Sequence, residues 1–322
     1  MRVFHSLAEI PASFGPSALT IGNFDGLHLG HQRIMRRATE IARADGLTAV
    51  VLTFDPHPAR ILAPERVKRR IMTTAMRLER MAAMGIDAVL LLPFTVEFGQ
   101  MSPEDFAGRV IEGTLHAARV LVGEDFRFGN RQSGDIETLR KLGLAMGFAV
   151  EPMGAVLYRG CRVSSTAVRD HLESGAVSRA CRLLGRPFTL AGRVVAGHGI
   201  GRTQTVPTLN LSTENEVLPR DGVYVTRTRE VGGAGRLWNS ITNVGMRPTF
   251  SGRAGQSEAR TIETFLLGPL VGNTPVGIEV EFLRRVREER TFDSPDALKS
   301  QILKDVGVAN RLHKRLDFID VG

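Results

Sequence analysis

Two cysteines in 322 residues exclude a disulfide framework. The longest apolar run, Ala88–Leu92, stops at Pro93, far short of the roughly 20 residues that a membrane helix needs. The opening MRVFHSLAEIPASF puts Glu9 and Pro11 where a signal peptide keeps an apolar core, so the expectation is a cytoplasmic chain. Internal repeats and low-complexity tracts are lacking, and 43% hydrophobic with 24% charged residues excludes a disordered, collagen-like or coiled-coil chain. A basic arm is lacking too. The net charge of +8 splits into +4 for residues 1–185 and +4 for residues 186–322, and the longest basic cluster is Arg66–Arg70, the size of a solvated loop. That balance suits small anionic partners such as nucleotides, and argues against nucleic acid or a membrane surface as the partner. Lysine is scarce, five of 42 basic residues; arginine's planar fork favours phosphate contacts, a bias that genome composition explains equally well.

What is present reads as two domains, as the length suggests. From Ala18 to Met153, apolar runs at Ala18–Ile21, Ala49–Phe54, Ala88–Leu92, Val120–Val122 and Phe148–Val150 alternate with helix-period stretches near 30–45, 73–84, 103–117 and 135–146. Such alternation predicts a parallel sheet covered by helices. Two short helices, Thr166–Glu173 and Ala176–Leu184, each ending at glycine, close this first domain at residue 185. From Thr189 the texture changes to short β-branched runs separated by glycine, which predicts an antiparallel barrel of about six strands in residues 186–322. Ser294-Pro295-Asp296 then starts C-terminal helices, with Leu298, Ile302 and Val306 at intervals of four.

The first candidate site follows the run Ala18–Ile21. Gly22-Asn23-Phe24-Asp25-Gly26-Leu27-His28-Leu29-Gly30-His31 leads straight into an amphipathic helix, and a glycine-rich turn there exposes N–H groups at a helix N-terminus, where a phosphate is favoured. His28 and His31, three apart, share one side of the first turn, and Gly30 between them lets a ligand approach the backbone. Such a pair can stabilise the charge on a departing pyrophosphate; the plainer alternative is that the histidines cap the helix. Ser164-Ser165-Thr166 sit where another helix begins and either cap it, contact triphosphate oxygens, or do both, with Arg169 one turn on as a charged fork. His57, in Thr53–Pro58, and Asp125 with Arg127, in Val122–Gly129, follow apolar strands, the edge where open α/β sheets bind ligands.

The second candidate site combines Gly197-His198-Gly199-Ile200-Gly201-Arg202, a loop able to fold over phosphates, with Pro207-Thr208-Leu209-Asn210. Thr208 and Asn210 alternate by two and share one strand face, offering two neutral oxygens to a magnesium ion; a satisfied turn explains them equally well. Glu263 lies in the apolar-flanked run Arg260–Phe265, where an unpaired buried carboxylate would be costly.

These segments resemble the bacterial bifunctional riboflavin kinase/FMN adenylyltransferase (FAD synthetase) family. Gly22–His31 is similar to the HxGH signature of nucleotidyltransferases, and Thr53–Pro58, Val122–Gly129 and Val163–Arg169 follow in the family's order. The resemblance implies an α/β Rossmann-like nucleotidyltransferase domain followed by a small antiparallel β-barrel. It further implies ATP and Mg2+ as cosubstrate and metal, and riboflavin, FMN and FAD as substrates or products. By resemblance His28 and His31 act on the leaving group, and Gly22, Asn23, Phe24, Asp25, Gly26, Gly30, Ser164, Ser165, Thr166 and Arg169 bind nucleotide phosphates, as do Gly197, Gly199, Gly201 and Arg202 in the barrel. His57, Asp125, Arg127 and Asn243 contact flavin or nucleotide, Thr208 and Asn210 hold magnesium, and Glu263 is the base. In the barrel the chain departs from the family: Leu209 replaces the alanine of a PTAN motif, Gln204-Thr205-Val206 precedes it, and Phe265 stands where the family has histidine. An alternative is therefore an adenylyltransferase with a flavin-binding regulatory barrel, and a more distant one an RNA-binding factor. An aminoacyl-tRNA synthetase is disfavoured, since no lysine-rich KMSKS-type loop is found. Aromatics at 6% do not place a flavin ring, and homo-oligomerisation is left open.

Overall fold

Among the described residues the apolar runs fall on strands in the expected order, and further short strands form where no such run marks them: one at the start of the chain, a hairpin after the sheet and Thr208–Thr213 in the barrel. The computed structural model describes residues 1–195, 208–246 and 260–319. Contacts divide the chain into two units, Met1–Ser165 and Thr166–Gly322.

In the first unit, β1 (Arg2–Phe4), β2 (Ser17–Ile21), β3 (Thr48–Phe54), β4 (Ala88–Leu92), β5 (Ala117–Gly123) and β6 (Ala149–Met153) form one sheet in the order β1-β4-β3-β2-β5-β6, parallel throughout. Strand β2 is buried along its length, as are the central residues of β3 and all of β4, as a sheet covered on both faces requires. The edge strand β1 is three residues long and pairs with Ala88–Leu90; so short a segment shows no periodicity. A short hairpin, β7 (Leu157–Tyr158) with β8 (Cys161–Arg162), follows the sheet.

Helices Leu29–Asp45, Thr74–Ala83 and Ile136–Met146 match the expected periodic stretches. The stretch expected near 103–117 is shorter and less regular, a first turn Pro103–Asp105 running into a π-helical Phe106–Glu112, because β5 already begins at Ala117. Ser102 caps its start with an Oγ that accepts from the Asp105 N–H at 3.0 Å. Strand order reverses between β2 and β5: the chain leaves β2 toward β3 and β4, then returns to the other side of β2. A crevice outside the carboxyl ends of β2 and β5 is the consequence, and ligands of open α/β sheets bind there.

The second unit opens with helix Ser165–Glu173, whose first residue closes the first unit, followed by Val177–Leu184. Both were expected at the end of the first domain. Val177–Leu184 counts with the barrel because the stripe Val177, Ala180, Leu183 and Leu184 is buried, while Ser178 Oγ and Cys181 Sγ bond the carbonyls of Leu283 and Phe282. Ser165–Glu173 is tied to the same unit by the Arg220 N–H, which donates to the Leu172 carbonyl at 3.0 Å. The strands β9 (Phe188–Val195), β10 (Thr208–Thr213), β11 (Gly222–Val231), β12 (Leu237–Met246), β13 (Arg260–Leu266) and β14 (Gly277–Arg287) close a six-stranded barrel in the order β10-β13-β12-β11-β14-β9, antiparallel at every pairing. Buried hydroxyls of Thr226, Ser240, Thr242 and Thr264 bond one another at 2.8–2.9 Å, so these buried polar groups are satisfied.

A single helix, Pro295–Ile319, forms the C-terminal segment. Its Ala309, Val306 and Leu312 pack against Val223, Val225, Ile241 and Phe265. Arg287 at the end of β14 holds Asp305 of this helix through Nε and Nη2 at 2.9 and 2.8 Å. Leu298, at the beginning of the expected apolar line, is largely outside this contact and is exposed.

Candidate functional sites

The carboxyl end of β2 carries the first site. After Ile21 the chain turns through Gly22–Leu27 with Phe24, Gly26 and Leu27 in left-handed backbone, φ 50°, 79° and 44°. His28 is the N-cap of helix Leu29–Asp45: its Nδ1 accepts the His31 N–H at 3.4 Å. The capping role weighed against a chemical one is therefore real, and the two are compatible, since a cap fixes the imidazole at the positive end of a helix dipole. The His28 and His31 rings stack, centroids 3.6 Å apart and 20° from parallel, and Phe24 meets His31 edge-on at 5.2 Å. Gly30 permits this: a Cβ there would lie 3.1 Å from His28 Cε1.

The turn is held from behind. The Asp25 carboxylate accepts the Ile71 N–H at 3.0 and 3.2 Å, and Ser165 Oγ donates to the Asp25 carbonyl at 2.8 Å. Of the hydroxyls expected to cap or to contact phosphate, Ser165 thus reaches the HxGH turn itself. Ser164 also belongs to the first unit, whereas Thr166 and Arg169 open the second. Among the described residues, the buried Asn23 Oδ1 has no hydrogen-bond partner, as an atom awaiting a ligand donor would show.

The neighbouring strand ends complete the edge. His57 caps the short helix Pro58–Leu62, its Nδ1 accepting the Ala59 N–H at 3.0 Å, so it holds the turn after β3. Asp55 is bound by Arg70 at 3.4 Å and by the Thr74 hydroxyl. Asp125, following β5, pairs with Arg162 of the β7–β8 hairpin at 2.8 Å, and Arg127 pairs with Asp135 at 3.2 Å. Backbone hydrogen bonds to Thr138 hold the Asp135 carboxyl below its ordinary pKa, with smaller help from Arg127. A ladder of phenylalanines escaped the sequence reading because its members are far apart in the chain. Phe54 contacts Phe94 and Phe98, and the contacts continue through Phe106 to Phe128 and Phe126, centroids 5.4–6.1 Å apart. Arg77 was also missed. Its one signal was position, a charged residue on the stripe of Met76 and Met81, which is buried.

The second site lies on the outer face of the barrel. Asn210 pairs directly with Glu263, and Glu263 directly with Asn243, so three side chains from β10, β13 and β12 form one row on one face, with Thr208 two residues from Asn210. The inner face of these strands is occupied by Leu209, Thr264 and Thr242; that alternation moves the half-buried Glu263 outward and resolves the cost of an acid in an apolar run. Thr208 Oγ1 is buried and has no hydrogen-bond partner among the described residues. An unspent hydroxyl beside an amide oxygen on the same face fits a hard, oxygen-preferring cation such as magnesium. Glu289, beyond β14, accepts from Asn243 Nδ2 at 3.5 Å and lies over Gly245, close enough that a side chain there would collide with it. Gly197, Gly199, Gly201 and Arg202, expected to cover phosphates, lie outside the described residues.

Two family models match the chain: FAD synthetase over residues 10–167 and riboflavin kinase over residues 184–313. A bifunctional riboflavin kinase/FMN adenylyltransferase of Pseudomonas fluorescens is 37% identical over 97% of this chain and 98% of its own. The enzyme of the same description from Escherichia coli K12 is 34% identical over 95% of each. A crystal structure of a macrolide-efflux protein from Streptococcus pneumoniae superimposes with a TM-score of 0.83 at 28% identity, covering 96% of this chain and 98% of that one. Among the described residues no helix is long and apolar enough to cross a membrane.

Proposed function

The chain belongs to the bifunctional riboflavin kinase/FMN adenylyltransferase family and converts riboflavin to FMN and FMN to FAD at the expense of ATP, and from that premise we propose how its residues divide the two steps. Adenylylation is assigned to residues 1–185 and phosphorylation to residues 186–322. A barrel serving only to regulate is disfavoured, because the relatives spanning the whole chain are described by both activities.

In the adenylylation step an oxygen of the FMN phosphate attacks the α-phosphorus of ATP, the bond to the β-phosphate oxygen breaks, and pyrophosphate leaves. His28 and His31 stabilise the charge that collects on the leaving group. Their own geometry supports this: two stacked rings at a helix N-terminus beside the strand-order reversal. Gly22, Asn23, Phe24, Asp25, Gly26 and Gly30 receive the nucleotide phosphates along the turn, and Ser164, Ser165, Thr166 and Arg169 contact the triphosphate. The edge bearing His57, Asp125 and Arg127 contacts flavin or nucleotide, and the phenylalanine ladder from Phe54 to Phe126 offers an apolar wall to an isoalloxazine ring.

In the kinase step Glu263 takes the proton of the riboflavin 5′-hydroxyl as that oxygen attacks the γ-phosphorus of ATP and ADP leaves. Asn243 and Asn210 flank this carboxylate in the same row and orient it. Thr208 and Asn210 would hold magnesium, which when bound neutralises phosphate charge. Gly197, Gly199, Gly201 and Arg202 cover the phosphates. The protein works in the cytoplasm on small flavins and ATP without nucleic acid, its positive charge being evenly spread.

Chromatographic separation of riboflavin, FMN and FAD over time tests the assignment. With riboflavin, ATP and magnesium, FMN appears before FAD. His28→Ala accumulates FMN with FAD formation down by about 100-fold, while Glu263→Gln makes FAD only from supplied FMN. Equal loss of both steps in either folded variant would refute the division of labour.

A further inference from the structure

We propose that Arg77 is a positioning residue for adenylylation, setting the Asn23–Phe24 peptide from behind so that the Phe24 N–H faces the triphosphate. The inference rests on the assignment of the Gly22–Gly26 turn to that step.

Arg77 is 9% exposed. Its Nη1 donates to the Asn23 carbonyl at 2.8 Å and to Thr53 Oγ1 at 3.4 Å, and its Nη2 to the Phe54 carbonyl at 3.4 Å. Thr53 Oγ1 in turn donates to the same Asn23 carbonyl at 3.3 Å. The peptide between Asn23 and Phe24 is trans, and in a planar trans peptide the C=O and N–H point in opposite directions. Two donors pinning the Asn23 oxygen therefore aim the Phe24 N–H away from Arg77, and no hydrogen bond from that N–H occurs among the described residues. By holding Thr53 and Phe54 as well, one guanidinium joins the ends of β2 and β3 at the sheet edge that carries the site.

Its charge is equally informative. Among the described residues every hydrogen bond from Arg77 ends on a neutral oxygen. Burial lowers the pKa of the guanidinium, with Asp55 and Asp25 nearby opposing that effect, and arginine remains a cation at neutral pH. Both carboxylates bond elsewhere: Asp25 to the Ile71 N–H, Asp55 to Arg70 and Thr74. An apolar side chain would continue the stripe of Met76 and Met81 without the cost of a buried charge. The cation instead adds positive potential at the back of a turn already favoured by a helix dipole, and a bound triphosphate compensates it.

Steady-state kinetics on the full chain test this. Arg77→Met removes the charge and all three bonds; the KM for ATP in the FMN-to-FAD reaction rises about tenfold or more, while riboflavin phosphorylation by the same protein is unchanged. Arg77→Lys keeps the charge and one donor and returns that KM to within about threefold of the native value. A folded Arg77→Met protein with KM and kcat within about twofold of native, or an Arg77→Lys protein no better than Arg77→Met, overturns the proposal. Should Arg77→Met fail to fold, Thr53→Val carries the test. It removes one of the two donors to the Asn23 carbonyl and is expected to raise the KM for ATP about threefold; no change overturns the proposal. Failure of the native chain to make FAD from FMN would instead refute the assignment on which the inference rests.

Discussion

Replacing Gly30 with alanine tests together the placement of the His28–His31 pair and the close approach of a phosphate to the turn. The added Cβ would stand 3.1 Å from His28 Cε1 and 3.2 Å from Nδ1, where carbon contacts are comfortable at roughly 3.5–4.0 Å. The imidazole must yield by about 0.5 Å, and it is hemmed in: His31 stacks on it at 3.6 Å, and its Nδ1 holds the His31 N–H at 3.4 Å. Overpacking of this kind costs about 1–3 kcal/mol. Against it, alanine is favoured over glycine in a helix interior by up to about 1 kcal/mol, less in the first turn where Gly30 lies, so net stability falls by no more than about 3 kcal/mol. Activity responds more sharply, since a misplacement of about 1 Å can cost 100-fold; half of that projects to about a tenfold drop in kcat for FAD formation. The assay is pyrophosphate release from FMN and ATP, with riboflavin phosphorylation and thermal unfolding measured on the same preparation. A folded Gly30→Ala protein that keeps kcat within about twofold would refute the reasoning that the placement of the His28 ring governs the rate.

Two further outcomes concern the barrel. Burial raises the Tyr224 pKa to about 12, so the folded state holds this proton more tightly than the unfolded chain, whose tyrosines ionise near 10. The corresponding stability is present below about pH 10 and is lost as pH rises toward 12. Alkaline titration by tyrosinate absorbance should show a late step that Tyr224→Phe abolishes; identical titrations would refute the assignment. Asp305→Ala leaves Arg287 without the carboxylate that it holds at 2.9 and 2.8 Å. Asp305 is 4% exposed, and breaking such a buried pair should cost about 3–5 kcal/mol in denaturant unfolding, a loss below about 1 kcal/mol counting against it.

Much of the architecture was legible because it rests on local periodicity. Strands β2 to β6 and helix Leu29–Asp45 fall on the predicted runs, since alternating apolar strands and amphipathic helices leave a signal within each segment. The HxGH turn was equally legible, its glycines and histidines being adjacent in the chain. The three-residue β1 left no such signal. Helices Ser165–Glu173 and Val177–Leu184 read correctly as helices but sit on the barrel, because nothing in an apolar stripe says which surface covers it.

The sequence by itself determined the element types, the barrel texture and the glycine-rich turn before helix Leu29–Asp45, all set by residues within a few positions of one another. Tertiary structure alone decided that Asn210, Glu263 and Asn243 share a row, that six phenylalanines form one ladder, and that Arg77 stands behind the turn at Asn23. Strand register and helix docking bring together residues 20 to more than 70 positions apart. Those contacts are chosen by complementary packing across the whole chain, for which no local pattern of residues is a record.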